Sequence, residues 1–353
     1  MFTVLGGLSI GGYQTFILKQ NGSMVGTGWN MYGQLGDGSK TDRRSFVQVI
    51  SSGVRAAAAG FSFTLVLKQD GSVWSAGRNE KGQLGDGSTI DRSTFAKVDS
   101  GVTKTVAAGQ EHSLLMKQDG SVWCVGGNYF GQLGIGSTTD RSSFVRVISA
   151  GAHTVVAGAY YSMVLKQDGS LWTTGSNKYG QLGDETSGAR SFFEQVVSEG
   201  VQAVAAGSSH SMLLKQDGSV WATGHNNAGQ LGDGTRVNRQ GFVRVVPSGS
   251  GVKLVVAGSL HSMMLKQDDS VWSTGSNVFG QQGDGSNQDP RNRFVRVISS
   301  GVHIVAAGLG HSVVLKQDGS VWSTGSNTYG QLGDGTSAQR NRFTKVARAD
   351  NGA

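Results

Sequence analysis

The triplet Lys-Gln-Asp, with Asn for Asp in its first copy, begins at Lys19, Lys68, Lys117, Lys166, Lys215, Lys266 and Lys316. Successive copies lie 49, 49, 49, 49, 51 and 50 residues apart. A period of this size is the mark of a repeat architecture. By length alone, 353 residues suggest about two domains. Seven units of one kind fill the chain, however, and residues 1–353 read as one repeat domain. The 56 glycines recur at fixed places in the unit. They are therefore turn punctuation and not a low-complexity segment.

One unit reads as short β-type runs separated by Gly, Asn and Asp clusters, which is the pattern of strands joined by turns. In the last copy the runs are Val302–Gly308, His311–Lys316, Ser320–Gly325 and Phe343–Val346, with a Gly-rich loop before the fourth. Asp-Gly, as at Asp70-Gly71 and Asp318-Gly319, predicts a two-residue type I′ hairpin with both central residues at positive φ. The first copy has Asn21-Gly22, and the sixth has Asp268-Asp269, where modest strain is expected. Four strands per unit, seven times over, predict an all-β chain: a seven-bladed β-propeller of four-stranded antiparallel blades. The Ala-Ala-Gly strands, with their small side chains, suit the crowded axis. The recurring tryptophans (Trp74, Trp123, Trp172, Trp221, Trp272, Trp322) are expected as bulk between blades.

His-Ser-x-x-Leu-Lys, Asp-Gly-Ser-Val-Trp and Gly-x-Asn-x-x-Gly-Gln-Leu-Gly, repeated at a spacing near fifty, resemble the regulator of chromosome condensation repeat family. The resemblance runs from about Leu5 to Val346 and implies a seven-bladed propeller. Two closures are open. Each unit forms its own blade, or the last strand completes the first blade as a clasp. We expect the C-terminal strand clasp, since closure otherwise rests on side-chain packing alone.

Residues that repeat read as structural. Arg43, Arg92, Arg141, Arg190, Arg239, Arg291 and Arg340 each stand three residues before the repeat phenylalanine. An aspartate lies in the preceding loop in every copy but one, where Ile135 replaces it. Arginine locking the loop through carboxylate or carbonyl groups is the expected role, with Arg141 free or differently paired. His112, His210, His261 and His311 share a slot with Gln14, Phe63 and Tyr161. A slot so tolerant is no metal-ligand set, and a hydrogen bond to turn backbone is expected there. No nucleophile elbow, phosphate loop or Cys/His ligand spacing is present, so the chain reads as non-enzymatic, without cofactor or metal.

The formal charge of +7 is carried by basic residues spread over the repeats near acids, with no Lys/Arg run. A nucleic-acid partner is therefore not expected. The single cysteine, Cys124, forms no internal disulfide and leaves the redox compartment open. The stretch Met1–Gly7 has no basic leader, and no apolar run is long enough to span a membrane. A soluble chain, monomeric by itself, is expected.

Alternate turns of a meander lie on opposite faces, and the copies differ chiefly on the face shared by the Gly-x-x-His turn and the Gly-x-Asn loop. Aromatic and apolar residues vary there. The expected partner-binding residues are Tyr13, Trp29, Tyr32, Phe61, Phe63, Glu111, Tyr129, Tyr160, Tyr161, Leu260 and Leu309. Some loop aromatics, notably Tyr179, Phe279 and Tyr329, could equally pack on the next blade. Aromatics on a rigid rim suit a protein interface, so the leading expectation is a protein–protein interaction module or scaffold. The alternatives are a structural subunit of a larger assembly and guanine-nucleotide exchange on a small GTPase. The near-constant repeat spacing disfavours exchange, because it leaves no inserted wedge. The resemblance also brings in UV-B photoreception, which requires tryptophans at the slot held here by Gly12, Phe61, Gln110, Ala159, Ser208, Ser259 and Leu309; that reading fails on residues.

Overall fold

The computed structural model describes residues 7–286 and 290–349. Residues 1–6, which hold most of the stretch read for a leader, lie outside the described residues. Strand follows strand throughout, and no helix among the described residues is long and apolar enough to cross a membrane.

Blade 1 consists of β1 (Leu8–Ile10), β2 (Gln14–Leu18), β3 (Met24–Gly28) and β4 (Arg43–Ile50), antiparallel and in that spatial order. The plan recurs over 54–99, 103–148, 152–197, 201–246, 252–298 and 302–348, giving seven four-stranded sheets. The first strands of successive blades touch one another around an axis. Their alanines (Ala58, Ala59, Ala107, Ala108, Ala206, Ala307) are buried, because only small side chains let seven sheets converge. Leu, Val and Met of the second strands fill the clusters between neighbouring sheets.

The expected clasp is absent. The C-terminal strand Arg340–Arg348 pairs within its own unit, and β1 pairs with β2. Closure needs no clasp because backbone hydrogen bonds circle the axis from blade to blade. The amides of Gly12, Phe61, Gln110 and Ala159 donate to the carbonyls of Gly60, Gly109, Ala159 and Ser208. Those of Ser208, Ser259 and Leu309 donate to Gly258, Gly308 and Gly12, the last bond returning the ring to blade 1. Apolar packing supports the same joint: Leu8, Ile10 and Ile17 meet Ile304, Ala306, Val313 and Leu315.

The repeated words now have physical meanings. In His-Ser, the hydroxyl donates to the backbone carbonyl of Gln in the preceding blade's Gly-Gln-Leu, as Ser113 does to Gln83 and Ser162 to Gln132, both at 2.7 Å. That hydroxyl also lies beside the histidine of the preceding blade: Ser162 is 2.9 Å from His112 Nε2, Ser262 2.8 Å from His210, and Ser312 2.8 Å from His261. The histidine's partner is thus the neighbouring blade's hydroxyl and not turn backbone. Since the hydroxyl's only proton goes to the carbonyl, Nε2 must donate, which assigns the neutral Nε2–H tautomer. Burial holds these imidazoles down at about 3.

The Lys-Gln-Asp-Gly-Ser turn differs from the expected type I′. The Gly71 amide donates to Lys68 and the Lys68 amide to Ser72, so a type I turn is followed by a glycine at φ 80°. Aspartate is not the left-handed residue. Its Oδ1 accepts from the Ser72 amide and hydroxyl, and Ser72 accepts from the Trp74 indole. One left-handed site per turn suffices because the bulge restores the strand twist. In the sixth copy Asp269 holds that site at φ 61°, as the sequence suggested. The tryptophans are half-buried against the clusters, and a lysine ammonium covers the outer face of five of them, 3.8 to 4.7 Å from the ring.

Candidate protein-binding face

Each β1–β2 turn and the β3–β4 loop of the same blade lie on one face, tied by a repeated backbone bond. The amide after the strand-ending glycine donates to the turn, as Trp29 does to Tyr13, Arg78 to Ser62 and His225 to Ser209. Six of the seven loop arginines hold the expected aspartates: Arg43–Asp37, Arg92–Asp86, Arg190–Asp184, Arg239–Asp233, Arg291–Asp284 and Arg340–Asp334. Arg141 is exposed, with no ion-pair partner among the described residues. The aspartate also gathers the loop itself. Asp86 Oδ1 accepts from Asn79 Nδ2 and from the Ser88 amide and hydroxyl. Burial alone would raise the Asp86 pKa, but the Arg92 and Ser88 donors overcome it and hold the carboxyl below its usual range. These loops therefore form a rigid rim.

On that rim five rings from three adjacent blades meet. Tyr13 lies 6.0 Å from Trp29, 5.8 Å from Phe61 and 5.1 Å from Tyr329. Trp29 lies 5.5 Å from Tyr32, 6.1 Å from Phe61 and 5.8 Å from Tyr329. Most pairs are edge-to-face, the favoured arrangement of ring quadrupoles, and every member is half-buried. Arg78 caps Tyr32 at 5.3 Å and reaches Glu80 and Glu111, the latter at 3.8 Å. Beyond Glu111 a second group continues the arc: Tyr129 stacks edge-on to Phe130 at 4.8 Å, and Phe130 packs on Tyr160 at 5.4 Å. Burial, then the Glu111 carboxylate, pushes the Tyr160 phenol above its ordinary range.

Of the expected contact residues, the structure gathers Tyr13, Trp29, Tyr32 and Phe61 in one cluster and Glu111, Tyr129 and Tyr160 in its continuation. Leu260 stands apart on blade 6, 39% exposed. Leu309 joins Phe61, Gln110 and Ser208 around a well of about 30 Å³ on the axis, room for one water. Phe63 and Tyr161 are corrections. Both are fully buried, because their slot points into the blade seam where the histidines sit. The Tyr161 hydroxyl donates to the His210 carbonyl at 2.6 Å. Tyr329, left undecided between surface and packing, does both: it packs on the next blade's Tyr13 and remains half-exposed. Arg78 was missed, and its signal was present, since this slot otherwise holds Trp, Gly, Ser or His.

The family model described as regulator of chromosome condensation (RCC1) repeat matches residues 54–83, 103–132, 152–181, 201–230, 252–281 and 302–331. A second model of the same description matches 70–116, 168–214, 217–265 and 318–346. No curated protein matches the chain. Among solved structures, human WBSCR16 is 21% identical, with a TM-score of 0.78 over 87% of this chain and 85% of that one. Yeast RCC1 (Prp20), in its complex with Kap60, is 19% identical, with a TM-score of 0.82 over 99% and 85%. Prp20p from Saccharomyces cerevisiae, described with its binding to Gsp1p and histones, is 20% identical, with a TM-score of 0.80 over 99% and 88%. At these identities the likeness is one of fold.

Proposed function

Because the chain belongs to the regulator of chromosome condensation (RCC1) repeat family, we propose that it works as a non-enzymatic interaction module, holding a partner protein on the loop face. In this reading residues 1–353 act as one propeller domain, monomeric by itself. The observation that carries it is the half-exposed cluster of Tyr13, Trp29, Tyr32, Phe61 and Tyr329. Rigid aromatics in a central, partly desolvated patch are what interface hot spots are made of. The slot of Phe61 elsewhere holds Gly, Gln, Ala, Ser or Leu, and that of Trp29 holds Arg, Gly, Ser or His. That of Tyr13 holds Ser, Glu, Gly or Leu in all blades but that of Tyr160. The fold itself therefore does not require rings at these three places; the slot of Tyr32 and Tyr329 is aromatic in most blades. The yeast propeller is described with protein partners, Kap60, Gsp1p and histones, which supports the same class of role. Guanine-nucleotide exchange is not favoured, because the loops of the described blades are nearly equal in length.

The test is affinity capture from the native source with mass spectrometry, run in parallel on wild type and on Tyr13→Ser/Phe61→Ser. The partner is the protein held by wild type and released by the variant, with calorimetry on the purified pair to follow. A partner held equally by both would place the interface elsewhere.

A further inference from the structure

One of the seven joints, between blades 2 and 3, departs from the repeat in its charge pairing. Among the described residues, the ion pairs that cross from blade to blade all lie there: Arg78–Glu111, Lys81–Asp140 and Lys117–Asp99. The last sits on the side wall, away from the loop face. Its aspartate ends the outer strand Arg92–Asp99, where the other blades carry Ile50, Ile148, Val197, Val246, Ile298 and Ala347. Three residues earlier Ala96 replaces Val47, Val145, Glu194, Val243, Val295 and Thr344, all larger. The glycine of the next connection comes one residue early, at Gly101. Val102 thereby takes φ 59° in the place where Gly53, Gly151, Gly200, Gly251 and Gly301 adopt 68° to 83°. A β-branched residue with positive φ is a true outlier, and strain of this kind gathers at functional sites.

The consequence falls on Trp123. Its indole donates to Ser121, as Trp74 does to Ser72 and Trp172 to Ser170, so the ring is oriented as the repeat prescribes. Five of the six strand tryptophans have a lysine ammonium over the ring. Trp123 has no cation over it among the described residues, because the lysine of that position, Lys117, is drawn to Asp99 at 2.5 Å. With Ala96 in place of a larger side chain, the seam holds a cleft of about 580 Å³, lined by Trp123, Leu115, Val98, Phe144, Ala96 and Lys117. That is within the range of small-molecule sites. The charges around it cancel. Arg92 is paired with Asp86 and Lys117 with Asp99, and Arg146, opposite Trp123 in the next strand, acts on Asp119. Lys97 lies opposite Trp74, which packs against blade 1, and so faces the other side of blade 2.

We propose that this cleft binds a neutral planar aromatic carbonyl compound, its ring stacked on Trp123 and its oxygen accepting from the Lys117 ammonium. An ammonium has three N–H donors. Asp99 takes one at 2.5 Å and the Gly101 carbonyl lies at 3.4 Å, which leaves a donor for a ligand. A carboxylate would give up its hydration beside Asp86 and Asp99. An organic cation suits the indole face alone, but it would do the same beside Arg92 and Lys117. With no net charge in the cleft, nothing offsets that desolvation. The neutral carbonyl keeps both the ring contact and the hydrogen bond without it.

The probe is 2-naphthamide, with 2-naphthoate and 2-naphthylmethylammonium as charged counterparts of the same ring. Binding is read from the indole N–H resonances of the intact protein, with Trp123 assigned from Trp123→Phe. We expect saturable shifts of the Trp123 resonance with naphthamide in the millimolar range or below, and at least fivefold weaker binding of either charged probe. Lys117→Met keeps the stem and removes the donor, so it should weaken naphthamide at least fivefold, while Lys166→Met, the same slot in blade 4, should not. Ala96→Val/Asp99→Ile restores the repeat, returning Lys117 to the ring, and should abolish binding. Ala96→Val alone, which only narrows the cleft, should weaken it at least tenfold and serves should the double variant not fold. The proposal is overturned by an unmoved Trp123 resonance at about 10 mM naphthamide, by equal or tighter binding of a charged probe, or by undiminished binding in Lys117→Met or in the variants that fill the cleft.

Discussion

Thr15 Oγ1 lies 3.1 Å from His311 Nε2 and donates to the Gln331 carbonyl at 2.7 Å, joining the first blade to the last across nearly the whole chain. It is the same three-way contact that serine makes at the other histidine seams, so the ring closes through an ordinary joint. Thr15→Val keeps the shape, removes the hydroxyl, and leaves a buried carbonyl and an imidazole N–H unpaired. The expected cost is about 2 to 4 kcal/mol, read as a lowered urea midpoint. Thr344→Val, at a half-exposed site on the outermost strand of the last blade, should cost less than about 0.5 kcal/mol. A cost that small at Thr15 would mean closure rests on the apolar packing and the backbone ring alone.

The same seams make stability depend on pH. The buried imidazoles of His112, His210, His261 and His311 titrate at about 3, pulled down by burial from 6.5. Between those values the unfolded chain binds protons that the native seams refuse. Stability is therefore full above pH 6.5 and falls as pH drops towards 3, by up to about 1.4 kcal/mol per unit for each histidine. The Asp carboxyls, held below their usual range, add losses of the same sign only nearer pH 4. Urea midpoints from pH 7 to 5 should thus fall steeply in wild type. They should flatten as the histidines are replaced by Gln, which blade 1 already carries at this slot as Gln14. A flat wild-type profile would exclude the neutral seam histidines.

How much of this was legible follows from what a repeat averages. The blades, strand order and loop arginines were readable because each was stated seven times. Closure was misjudged because the ring of amide-to-carbonyl bonds leaves no mark on side-chain identity. Any residue can donate its N–H, and Gly12, Phe61 and Leu309 all do. Phe63 and Tyr161 were placed on the surface because their chemistry suggested it. Strand parity, which aligns them with the buried histidines, was the better guide. The Asp-Gly turn was mistyped because the dipeptide fits two hairpins, and the Ser two residues past the Asp, whose N–H that side chain caps, decides between them.

The loop aspartate and its arginine should separate in a mutant cycle. Asp86 is 6% exposed in its side chain and Arg92 42%. Asp86→Ala breaks the bonds to Asn79 and Ser88 as well as the ion pair, and should cost about 2 kcal/mol. Arg92→Ala loses only a solvent-screened pair, worth less than about 1 kcal/mol. Chemical denaturation of the two singles and the double would show a coupling below about 1 kcal/mol. A coupling near the full Asp86 cost would make the arginine, and not the turn bonds, the lock on the rim.

On the loop face, the decisive comparison is between rings that the fold needs and rings that it does not. Ser208 and Ser209 stand in blade 5 where Phe61 and Tyr13 stand in blades 2 and 1. Tyr13→Ser and Phe61→Ser therefore install residues that the repeat already accepts. Each removes one wall of the cluster around Trp29, and the melting temperature should fall by no more than about 4 °C. Partner affinity should drop about 30-fold or more for each, the scale of a hot-spot truncation of 2 kcal/mol or above. Tyr160→Ser, in the continuing arc, should give a smaller loss if the partner spans both groups. Trp29 is the one tryptophan on this face, so its fluorescence should shift on binding in wild type and stay silent in the variants. Unchanged affinity with a lowered melting temperature would reassign the five rings to packing.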